Sequence, residues 1–98
     1  MKLLHVSFHF EYAEIIEQIL DRHGVDDYAR YSMIEGKDRD GKHFGTQVFP
    51  GNVTVIQAQV PDSSERVDAL FQELQAFREE RDAHRHLQAF LLPVERRL

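Results

Sequence analysis

Val53-Thr54-Val55-Ile56-Gln57-Ala58-Gln59-Val60, followed by Pro61-Asp62-Ser63-Ser64-Glu65-Arg66-Val67, reads as a strand running into a helix. Pro61 ends the strand because it cannot donate to a ladder. Asp62 with Glu65 three residues on forms a capping box, and Val67, Leu70, Phe71, Leu74 and Phe77 then mark one apolar stripe. Downstream, His86 to Leu92 alternates and reads as a further strand, ended by Pro93. Upstream, Leu3 to Phe10 alternates, with Leu4, Val6, Phe8 and Phe10 on one face and Leu3, His5, Ser7 and His9 on the other. Glu11 to His23 is a helix: Tyr12, Ile15, Ile16, Ile19 and Leu20 recur at helical spacing, Glu11 and Glu14 suit its positive end, and Gly24 stops it. Asp27 to Ile34 reads as a strand.

The resulting order, β-α-β-loop-β-α-β, is that of a ferredoxin-like α+β fold, a four-stranded antiparallel sheet with two helices on one face. The other face carries His5, Ser7, His9, Gln57 and Gln59 beside Leu3 and Val55, so it is either solvated or packed against other subunits. The 98 residues suit one domain, 1–98. Cysteine is absent, which removes disulfides and thiolate chemistry. The first residues do not read as a signal peptide, and no run approaches the ~20 apolar residues of a membrane helix, so a cytoplasmic protein without stable membrane insertion is expected. A net charge of −5 with both signs interspersed argues against nucleic-acid binding, which needs a basic face.

Between the second and third strands lies Glu35 to Asn52, rich in Gly, Asp and Lys. Loops this long inside a small domain are more often functional than not. Six histidines are available as ligands. His5 and His9 stand about 13 Å apart along a strand and cannot share an ion within one subunit. His84 and His86 share a side at roughly 7 Å if the strand already begins there. His23 at the end of the first helix is a dipole partner. His43, in the long loop with Asp38 and Asp40, is the strongest metal ligand. Asp38-Arg39-Asp40-Gly41 is not a calcium loop, because Phe49 stands where the bidentate glutamate belongs. No catalytic constellation can be assembled from these spacings.

Gly24-Val25 after a helix, the loop Glu35-Gly36-Lys37-Asp38-Arg39-Asp40-Gly41-Lys42-His43-Phe44-Gly45, Val60-Pro61-Asp62 before the second helix and the closing Phe90-Leu91-Leu92-Pro93-Val94-Glu95 together resemble the PII signalling superfamily. The resemblance spans nearly the whole chain and implies a homotrimer that binds a small ligand or divalent metal between subunits. Its "T-loop" would contribute Gly36, Lys37, Asp38, Arg39, Lys42, His43 and Gly45, and would present a surface to a protein partner. It also implies that His43 approaches His84 and His86 of a neighbouring subunit, a set suited to zinc, nickel or cobalt. The chain departs from the nucleotide-binding members at Arg78-Glu79-Glu80-Arg81-Asp82-Ala83-His84-Arg85-His86, where acids replace a glycine-rich phosphate cradle, so tight ATP binding is not expected. It also ends soon after the last strand, short of the family's C-terminal arm. The competing readings are a small ferredoxin-like enzyme and a structural oligomer without ligand; the missing catalytic set disfavours the enzyme.

The glycines of Glu35 to Asn52 lead us to expect fast amide exchange there in the free protein, slowing when the right ligand is added. Uniform protection in the free protein would mark the segment as a fixed element.

Overall fold

The computed structural model describes residues 1–34, 36–38, 41–43, 53–60 and 63–98, of which 33, 34, 36–38 and 41–43 as backbone. Six strands and two helices follow in order: β1 Lys2–His9, α1 Ala13–Arg22, β2 Tyr28–Ile34, β3 Gly36–Asp38, β4 Gly41–His43, β5 Val53–Val60, α2 Ser64–Glu80 and β6 Gln88–Pro93. Short 3-10 turns, Phe10–Tyr12 and Asp82–His84, precede α1 and β6. The main sheet has strand order β2-β5-β1-β6, all neighbours antiparallel. This is the ferredoxin-like arrangement with both helices on one face.

Register assigns every side chain of β1 to a face. Leu4, Val6 and Phe8 are buried beneath the helices, where they meet Ile16, Ile19 and Leu20 of α1 and Val67, Leu70, Leu74 and Phe77 of α2. Ile56, Ala58 and Val60 of β5 join the same core. The odd-numbered residues of β1 look the other way. His5 sits between Gln57 of β5 and Phe90 of β6, Ser7 between Val55 and Gln88, and Leu3 between Gln59 and Leu92. Ala29 and Tyr31 of β2 extend these rows at Gln57 and Val55.

The helix ends show how local chemistry set the boundaries. Gly24, at φ 78°, follows the C-cap His23; its N–H donates to the Asp21 carbonyl, and Val25 N–H donates to the Leu20 carbonyl at 2.9 Å. These are the paired bonds of a Schellman motif, and a Cβ at Gly24 would be strained in this left-handed conformation. At the start of α2 the N-cap is Ser63, whose Oγ accepts from Arg66 N–H. The capping box centred on Asp62 is thereby corrected, since Ser63 already occupies the cap position; Asp62 itself lies outside the described residues.

Three other expectations are corrected. β1 ends at His9, and Phe10 begins a 3-10 turn with its ring 46% exposed instead of extending the buried face. Ile15 is exposed as well, because the helix proper begins at Ala13 and its buried stripe runs through Ile16, Ile19 and Leu20. The last strand begins at Gln88, two residues after the His86 expected, because the preceding segment is folded into the second 3-10 turn.

α1 and α2 are tied at one point. Glu73 of α2 accepts from the Arg22 guanidinium, and its other oxygen lies 2.7 Å from His23 Nε2. His23 is thus at the negative end of α1, as expected of a dipole partner, and is also joined to a carboxylate on α2. The bond from Arg22, opposed by burial and reinforced by His23, holds the Glu73 carboxyl below its ordinary value of 4.5. The unfolded chain therefore binds the proton more readily, so this contribution is present above the ordinary value and lost as pH falls through the lowered one. Glu73→Gln should flatten the acid limb of the stability profile as pH falls below the ordinary carboxylate value, read by urea denaturation at stepped pH. An unchanged limb would show that the tie contributes nothing in solution.

Candidate functional site

The segment between α2 and β6 is a turn held by both side-chain and backbone bonds. Phe77 is one of the last four residues of α2, whose carbonyls have no partner within the helix. His84 supplies one: its Nδ1 lies 2.7 Å from the Phe77 carbonyl oxygen. A carbonyl only accepts, so Nδ1 carries the hydrogen, and in the neutral ring Nε2 holds the lone pair. The imidazole also stacks on the Phe77 ring, centroids 3.9 Å apart and 7° from parallel, and meets Tyr12 edge-on at 4.6 Å. It is only 6% exposed.

Backbone bonds complete the turn. His84 N–H donates to the Arg81 carbonyl, Arg85 N–H to Asp82 and Leu87 N–H to His84, while Arg78 Nε donates to the Arg85 carbonyl at 3.3 Å. Leu87 is buried and anchors the exit into β6. Arg81 and Arg85 are left exposed on this frame, and His86, half-buried, lies 3.4 Å from Arg85 Nε. Arg81 is close enough to Tyr12 to lower its phenol's pKa, although burial, followed by the Glu11 carboxylate, holds that phenol above its ordinary value.

The expected acidic replacement of the phosphate cradle is distributed differently from its linear order. Glu79 and Glu80 belong to the last turn of α2, with Glu79 accepting from Gln75, and only Asp82 of the acids lies in the turn proper. The turn itself carries the two arginines.

The sequence-derived loop residues are only partly described. Gly36, Lys37 and Asp38 form β3, and Lys42 and His43 belong to β4; the two strands pair antiparallel with Gly36 opposite His43, Lys37 opposite Lys42 and Asp38 opposite Gly41. The long loop is therefore not wholly irregular, and this part of it is a hairpin. Arg39, Asp40 and Gly45 lie outside the described residues, as does most of the segment expected to exchange quickly. His84 and His86 are not on one side of a strand: His84 is turned into the protein in the 3-10 turn and His86 is nearer the surface. Among the described residues no group of three or more metal-ligating side chains converges.

A concavity of about 460 Å³ lies between the end of α1 and the start of α2, lined by Asp21, Arg22, His23, Glu65 and Arg66 among others. Its carboxylates and cations alternate, so it favours neither anion nor cation. None of the described helices is long and apolar enough to cross a membrane.

Neither a family model nor a curated protein matches the chain. Solved structures do. CPII, a nitrogen regulatory PII-like protein from Thiomonas intermedia, in a structure bound to ADP, AMP and bicarbonate, superposes with a TM-score of 0.70 at 26% identity, over 97% of this chain and 88% of its own. Its apo form superposes at 0.68 with 27% identity, over 92% and 84%. A DUF3240 family protein from Shewanella baltica matches at 0.69 and 14% identity over 98% and 91%, a likeness of fold alone.

His84→Leu should leave the Phe77 carbonyl buried without a donor and cost about 1–3 kcal/mol in denaturant unfolding. A loss below the error of the measurement would show that the bond is dispensable to the turn.

Proposed function

The chain is PII-like in sequence pattern and in fold, and from that premise we propose that it is a cytoplasmic regulatory protein that binds a small anionic ligand between the subunits of a homotrimer. It reports occupancy to a protein partner through segment 35–52, which includes β3 and β4. The observation that carries this reading is the prefolded turn between α2 and β6, which holds Arg81 and Arg85 at the surface on a frame closed by His84. The liganded state of the CPII structure supports adenosine mono- or diphosphate as the first ligand class to test. Lys37, Arg39 and Lys42 of a neighbouring subunit would complete the charge around it, and Gly36 and Gly45 would let backbone approach. ATP is the weaker candidate, because Glu79, Glu80 and the negative end of α2 stand beside the turn and repel added charge. The main sheet's uncovered face supports the trimer, since it carries no acidic or basic side chain apart from histidine among the described residues.

A second ligand class, a zinc, nickel or cobalt ion held by His43, His84 and His86, is favoured by one feature. His84 Nδ1–H is bonded to a carbonyl, the arrangement that fixes the ring of a metal-ligating histidine with Nε2 free to coordinate. His84 would have to turn its remaining nitrogen outward.

A thermal-shift series separates these readings, because a ligand specific to the folded state raises Tm. ADP or AMP should raise Tm more than ATP, and Arg81→Ala or Lys42→Ala should weaken binding about ten- to a hundredfold by calorimetry. A shift with zinc, nickel or cobalt alone, lost in both His43→Ala and His84→Ala, would instead favour the metal. No shift with any of them would leave a structural oligomer as the better description.

A further inference from the structure

We propose that self-association of this chain through its uncovered sheet face is gated by protonation of His5, so that the assembly holds at slightly alkaline pH and comes apart on mild acidification. The inference rests on the oligomer proposed above and adds its regulation.

His5 lies on the inner strand β1, at the centre of the face that the helices leave open. Gln57 is opposite it on β5 and Phe90 on β6, with Leu3 and Ser7 before and after it on its own strand. The flanking rows contribute Gln59 and Val55 from β5, Leu92 and Gln88 from β6, and Ala29 and Tyr31 from β2. None of these is an acid, a lysine or an arginine, although 30% of the whole chain is charged. A solvated edge or face would ordinarily carry charges, whereas the centre of a protein interface is depleted of them. Three large side chains on this face are bare although Val55 is buried: Phe90 is 52% exposed, Tyr31 48% and Leu92 48%. A chain with net charge −5 meets its own copy with least repulsion through a face that has none of that charge, so the occupant is a second copy.

Within that face His5 is held by an amide and an aromatic ring. Its Nδ1 is 3.3 Å from Gln57 Nε2, an amide nitrogen that can only donate, so Nδ1 accepts and the hydrogen is on Nε2. Its other ring contact is Phe90, tilted at 6.3 Å. The other histidine of this face among the described residues, His9, sits at the end of the strand; its Nδ1 accepts from Glu11 N–H at 3.4 Å, with Glu11 Oε1 3.7 Å away and Tyr12 and Phe10 against its ring. Among the described residues a carboxylate stands near His9 and none near His5. Once a second copy covers the face, the charged form of His5 loses water and gains no counter-ion.

The sign follows directly. Assembly favours the neutral imidazole, so the separated subunits bind the proton more readily, and association weakens as pH falls through the range in which histidine changes charge. Each proton taken up per dissociation event raises the apparent dissociation constant by about tenfold per pH unit below that range.

The measurement is solution mass by light scattering on the intact chain at about pH 8 and about pH 5.5, with far-ultraviolet circular dichroism on the same samples. The native chain should be oligomeric at the higher pH and monomeric, with its helix signal intact, at the lower. His5→Gln and His5→Asn should remain oligomeric at both, and His9→Gln should behave as the native chain does. Native oligomer at both pH values overturns the gate while leaving the assembly standing. Native monomer at both overturns the assembly and the gate together. Loss of the helix signal at the lower pH, or the same pH dependence in either His5 variant, also overturns the gate.

Discussion

The position of β1 between β5 and β6 is the constraint from which the rest of the molecule follows. An inner strand has neighbours on both edges, so its register is fixed twice, and a slip of one residue would move Leu4, Val6 and Phe8 out of the core and His5, Ser7 and His9 into it. Both helices lie on the Leu4 side, because that is where the apolar alternation points. One sheet face is therefore a dry core and the other a surface of amides, hydroxyls, imidazoles and bare aromatic groups. That asymmetry makes the monomer look incomplete. It also determines which histidine is central and which is peripheral: His5 sits in the middle of the strand and His9 at its rim.

The second determinant is how α2 ends. A helix terminus leaves carbonyls without donors, and the chain can answer them with water or with a side chain. Here a side chain does so, and the consequence reaches beyond the helix. By bonding to the Phe77 carbonyl and stacking on the Phe77 ring, His84 fixes the turn that follows, and Arg81 and Arg85 are carried on it. Side chains on a turn bound this way lose little freedom in any contact they make, which lowers the entropic cost of that contact.

Much of this arrangement was legible in the sequence, and the remainder was hidden for physical reasons. β5 matched its expected bounds, Val53 to Val60, because a continuous run with strong strand character was closed by Pro61. Gly24 was legible as a stop because only glycine adopts the required backbone angle at low cost. Phe10 was misassigned because it continues the strand alternation one residue past the end of β1, and Ile15 because it lies at the margin of the helical stripe through Ile16, Ile19 and Leu20. Ser63 was missed because Asp62, Ser63 and Ser64 can all cap, and spacing alone does not rank them. The capping role of His84 and the tie from Glu73 to Arg22 and His23 depend on tertiary approach between separate segments, which no local pattern encodes. The hairpin Gly36–Asp38 with Gly41–His43 was hidden for a different reason: strands of three residues, each bearing a glycine, are too short to display alternation.

The strand order also has a consequence for how the protein is made. β1 and α1 leave the ribosome before the other described elements, yet β1 has no sheet neighbour until β5 is synthesised, and its second edge stays open until β6 follows. β2 is likewise without a main-sheet partner until β5 arrives. The sheet therefore cannot grow strand by strand as the chain emerges. It closes in two late steps, β5 joining β1 to β2 and β6 sealing the far side. Until then the nascent chain has unpaired backbone along the edges of β1 and the apolar Leu4, Val6 and Phe8 on one of its faces, features that invite pairing with another nascent copy and that chaperones recognise.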